Sequence, residues 1–116
     1  MGTPDRDQRR ADREGLRASP PDAGVIAVRH RLTGRVAVVA TENLDGLRNR
    51  VDFARQTGTF SAVPDPRIAA DARTHGMDSV ELEVLERVTV ELGTSADELR
   101  SDLETLTVLW RERLAG

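Results

Sequence analysis

The chain has 116 residues, 38% of them hydrophobic, and a formal net charge of −3. That length sets the expectation of one domain with one modest core. It has no Cys, and its His are His30 and His75 alone. This excludes a disulfide framework, a thiolate zinc site, a Cys nucleophile and a His-rich metal site. All 17 basic residues are Arg, and Tyr is absent. The longest hydrophobic run is Val36–Ala40, far below the ~20 residues that span a bilayer. The N-terminus lacks the basic-then-apolar order of a signal peptide, so a cytoplasmic protein without membrane contact is expected.

Charge divides the chain in three. Residues 1–23 are balanced, with five Arg and five acids. Residues 24–75 are net +3 and residues 76–116 net −6. The first segment is expected to be a disordered tail. Met1 and Leu16 are its only large apolar residues, and Pro4, Pro20 and Pro21 bound any helix in it.

From Gly24 the pattern becomes period two. Ile26, Val28, His30 and Leu32 share one strand face, and Thr33-Gly34 is a turn signal. A second strand runs from Arg35 to Thr41. Both its faces are apolar, which predicts that it is central and covered on two sides. The two strands form a hairpin. Asn43 suits an N-cap, Leu44, Leu47, Val51 and Ala54 step by three or four, and Gly58 suits C′. These predict a helix over 44–57, weakened by Gly46. Asp65-Pro66 and Gly76 bracket a second helix over 66–75.

Val80, Leu82 and Val84 alternate with Glu81 and Glu83, predicting a third, edge-like strand with a wet face. Ser95 with Glu98 is a capping box. Leu99, Leu103, Leu106, Trp110 and Leu114 then form one apolar stripe of a closing helix. The expected class is α+β, a small, mainly antiparallel three-stranded sheet with helices, in the order ββααβα. The ordinary role of His30 is half-buried packing, that of His75 is to complement a helix C-terminus, and that of Trp110 is to anchor the core.

Gly24-Val25-Ile26, the turn at Thr33-Gly34-Arg35, Val36-Ala37-Val38-Val39 and Thr41-Glu42-Asn43-Leu44 resemble, in order and spacing, the N-terminal half of the GIY-YIG nuclease domain. Gly76 with Val80–Glu86 resembles that family's third strand, and Leu103–Leu114 its closing helix. Asn49-Arg50, Gly58-Thr59, Asp71 and Leu109–Leu114 resemble a small bacterial branch. The resemblance spans about 24–114, so residues 24–116 are expected to form a GIY-YIG-like domain. It implies metal-dependent phosphodiester cleavage, in which a tyrosine helps activate water, an arginine stabilises the phosphate and a glutamate holds a divalent ion.

This chain departs from the family at those positions. By spacing they fall on Ile26, Ala37, Leu47, Val51 and Thr107. The expectation is therefore a catalytically silenced nuclease-like domain that binds nucleic acid or another partner. Arg35, Arg48, Arg50 and Arg55 are the candidates for contact with a DNA or RNA phosphate backbone. A second reading is an active endonuclease with a rearranged site built on Arg48 or Arg50, Glu104 as metal ligand and His30, using Mg or Mn. A third is a small α+β protein whose likeness is one of fold only.

Overall fold

The structure, a computed structural model, describes residues 20–115. Residues 1–19 of the expected tail lie outside the described residues. The elements are β1 (Ala23–His30), β2 (Val36–Thr41), α1 (Leu44–Thr57), α2 (Pro66–His75), β3 (Val80–Val88) and α3 (Ala96–Ala115), with single 3₁₀ turns at Phe60–Ala62 and Met77–Ser79. This is the α+β order ββααβα. The sheet is antiparallel throughout, in spatial order β2-β1-β3.

The central strand is therefore β1, not β2. Both strands are apolar on two faces, so alternation alone does not rank them. The return of β3 alongside β1 decides the matter. Ala23, Val25, Ile26, Ala27 and Val28 are fully buried, while Val36 and Ala40 of β2 are exposed. Arg29 of β1 pairs across the sheet with Glu83 of β3 at 2.8 Å. Leu32 is 61% exposed rather than on a strand face. The chain already turns at His30, whose carbonyl accepts the N–H of Gly34 at 2.8 Å. Gly34, at φ 76°, supplies the left-handed residue the turn requires.

Local signals place the helices on one face of the sheet. Asn43 caps α1 by accepting the N–H of Gly46 at 2.9 Å. A Cβ on Gly46 would come within 2.7 Å of that Asn43 side chain. Gly46 thus makes room for the cap rather than merely weakening the helix. Asp65 caps α2 by accepting the N–H groups of Arg67 and Ile68 at 2.9 and 3.0 Å. Leu44, Leu47, Val51 and Ala54 of α1 and Ile68, Ala69 and Ala72 of α2 join Ile26, Val28, Ala37 and Val80 in one buried cluster.

A register shift between Val25 and Ile26 places Glu86 opposite Val25 and Val84 opposite Ile26. Gly24 sits beside this irregularity. A Cβ there would lie 2.4 Å from the Glu86 carbonyl oxygen and 2.8 Å from Leu44 Cδ1. The carbonyl of Asp22, inside the segment expected to be tail, accepts the N–H of Leu44 (2.9 Å), and its carboxylate accepts from Arg87 (2.8 Å).

The helix α3 covers the opposite face. Ser95 accepts the N–H of Glu98 at 3.1 Å, as a capping box does. Of the leucine stripe, Leu103 is buried, Leu99 and Leu106 are half-buried and Leu114 is 42% exposed. Trp110 is not a core anchor. It is half-buried, its Nε1 donates to Glu86 at 2.8 Å, and the Arg113 guanidinium stands 4.6 Å over its ring. At this end α3 meets the sheet across a cleft, which Arg111, Leu114 and Ala115 share with Val36–Val39 of β2, and through polar ties rather than close apolar packing.

Candidate functional site

The positions where the resemblance would place reactive groups are closed. Ile26 and Val51 are fully buried, and Leu47 and Ala37 are 5% and 8% exposed. All four belong to the single apolar cluster between the sheet and the α1–α2 layer. Thr107 is also buried but lies on the other side of the sheet, where its hydroxyl donates back to the Leu103 carbonyl at 2.6 Å. No polar group of these five faces solvent.

The residues of the rearranged site are not brought together. Arg48 and Arg50 are exposed on α1, against one face of the sheet. Glu104 is exposed on α3, across the sheet from them, in a shallow cleft that it shares with Glu42, Arg100 and Arg111. His30 is more deeply buried than expected, at 1% exposure. Its Nδ1 accepts the N–H of Thr33 at 3.1 Å, and its Nε2 is buried without a partner. An Nδ1 that accepts leaves the proton of the neutral ring on Nε2. That atom then offers no lone pair for a metal or for a proton. The His75 ring lies 5.3 Å away. Among the described residues no three His, Asp or Glu side chains are grouped to hold a metal ion. The residues present do not fit the divalent ion that the resemblance implies.

The four candidate arginines divide in two. Arg35 donates from Nε to Asp71 at 2.8 Å, and Thr33 adds a second hydrogen bond to the same carboxylate oxygen at 3.2 Å. The Arg35 guanidinium holds the Asp71 carboxyl below the usual carboxylate range. Arg55 is shared between Asp52 and the Val80 carbonyl. Both arginines serve the fold. Arg48 and Arg50 have no ion-pair partner among the described residues.

Arg50 also borders a groove of about 820 Å³ between α1 and the Phe60–Ala62 turn. Its walls are Leu47, Ala62 and Pro64, and Phe53 stands at its rim, 63% exposed. Sequence reasoning missed Phe53. The signal was there: the buried face of α1 is complete without it, so an aromatic lies on what is otherwise the polar face. No helix among the described residues is long and apolar enough to cross a membrane. Compared with family models, curated proteins and solved structures, the chain has no match.

Proposed function

We propose that this chain is a catalytically silent GIY-YIG-like domain that binds the phosphate backbone of nucleic acid through the outer surface of α1. One observation carries the reading. The four positions Ile26, Ala37, Leu47 and Val51, where the family would keep its reactive side chains, are packed together in the core. Hydrolysis needs a group to take a proton from water and a charge to meet the developing oxyanion. A closed apolar cluster supplies neither.

What the fold leaves free is positive charge on α1. The basic middle segment is net +3, and two of its arginines are engaged by Asp71 and Asp52. Arg48 and Arg50 are the guanidinium groups on α1 without such a partner among the described residues. Contact with phosphates releases counterions, so affinity falls as salt rises.

The test is fluorescence anisotropy of labelled DNA and RNA oligonucleotides titrated with the chain over a range of salt. Binding at low salt that weakens steeply is expected. The double substitution Arg48→Ala, Arg50→Ala should reduce the salt slope by about 2. No binding at low salt, or binding that does not respond to salt, would overturn the proposal. So would a double variant indistinguishable from the parent.

A further inference from the structure

The groove beside Arg50 has a more specific chemistry than a basic patch. Phe53 lies three residues after Arg50 and four after Asn49, so the three side chains share one surface of α1. The apolar walls suit a flat ring. Asn49, Thr59 and Ser61 line the groove with neutral donors and acceptors, and no carboxylate lines it. Asp52, the acid next to Phe53 in sequence, is engaged by Arg55. A phosphate can therefore approach Arg50 without meeting an unpaired carboxylate in the groove. A groove of about 820 Å³ falls in the size class of sites that enclose a small ligand.

We propose that this groove takes an unstacked nucleobase of a single-stranded nucleic acid, with Phe53 as the stacking face and Arg50 on the adjoining phosphate. The inference rests on the phosphate-binding reading above and deepens it. A duplex hides its base faces within the stack and offers an aromatic side chain only edges and backbone. A single strand can splay a base onto an aromatic face while its phosphate meets a neighbouring arginine. The amide of Asn49 and the hydroxyls of Thr59 and Ser61 then lie where base edges or sugar hydroxyls fall. Stacking is tolerant of base identity, so these neutral groups set any preference.

The experiment is anisotropy with a short fluorescein-labelled oligothymidylate, with the same label on a duplex, and with an acidic peptide containing one Phe. The proteins are the full chain, Phe53→Ala, Phe53→Trp and Arg50→Ala. The oligothymidylate should bind more tightly than the duplex or the peptide. Phe53→Ala should weaken it about tenfold and leave duplex binding unchanged. Phe53→Trp should restore it. Arg50→Ala should lower the salt slope by about 1. Phe53 is exposed, so its variants keep the fold, which circular dichroism checks.

The inference is overturned if Phe53→Ala binds the single strand like the parent, if the duplex binds as tightly, or if the acidic peptide binds best. In the first two cases salt-dependent binding through Arg48 and Arg50 still stands. If no nucleic acid binds at any salt, both readings fail together.

Discussion

On one face of the sheet, α1 and α2 are short, doubly capped helices whose apolar side chains pack with Ile26, Val28, Ala37 and Val80 in a buried apolar layer. On the other, α3 is longer than either, yet it buries Leu103 and Thr107 and leaves Val108, Leu109 and Leu114 roughly half exposed. It is held by polar ties at its C-terminal end, Trp110 to Glu86 and Arg111 to the Val38 carbonyl. The well-packed face holds four of the five positions where the family resemblance would put chemistry, Thr107 alone lying on the α3 side. Packing and reactivity compete for the same positions, and here packing has them. The binding proposed above uses instead the outside of α1, where Arg48, Arg50 and Phe53 are exposed and contribute little to the core.

The contrast can be broken most forcefully in the core. Ile68→Ala, at a fully buried site between the layers, should cost about 3 kcal/mol in urea unfolding. Leu114→Ala on α3 should cost about 0.5 kcal/mol or less. Equal losses would mean that the two faces are packed alike. Next comes Gly24→Ala, whose Cβ would collide with the Glu86 carbonyl and Leu44. The backbone must yield, and the expected loss is about 2 kcal/mol.

Removing the α1 cap with Asn43→Ala should cost about 1 kcal/mol. Hydrogen exchange should then show that α1 opens more readily while α3 is unchanged. In the parent the order is reversed, because few buried contacts hold the ends of α3. The smallest effect concerns Asp71. Its carboxyl is held below the usual range by Arg35, so its contribution is present above the ordinary carboxylate pKa. It is lost as pH falls through the depressed folded value. The stability difference between the parent and Asp71→Asn should therefore shrink on acidification. A difference that grows would refute the pairing.

Both capped helices were legible in sequence, because Asn43, Gly58, Asp65 and Gly76 carry their signals within a few residues. The rank of the strands was not. It depends on β3 closing against β1 from more than fifty residues away, and no local period records that. The stripe of α3 was legible but its burial was not, since burial depends on how closely the helix seats on the folded sheet, and its C-terminal end stands across a cleft from β2. For the candidate site the absence of Tyr was plain from composition, and the structure adds where the substituted positions go. The sequence could not separate paired arginines from free ones. Arg35 and Asp71 lie thirty-six residues apart and Arg55 reaches a carbonyl on β3, which only the folded chain brings together.

The central claim is that the positions assigned to chemistry by resemblance are core, and that the chain binds without cutting. It is tested most directly by incubating supercoiled plasmid with the purified chain in Mg or Mn and following conversion to the nicked form. The account predicts no conversion above the protein-free control, and none from Ile26→Tyr, which crowds the core instead of restoring a site. Nicking that depends on the protein and is abolished both by a chelator and by Arg50→Ala would contradict it.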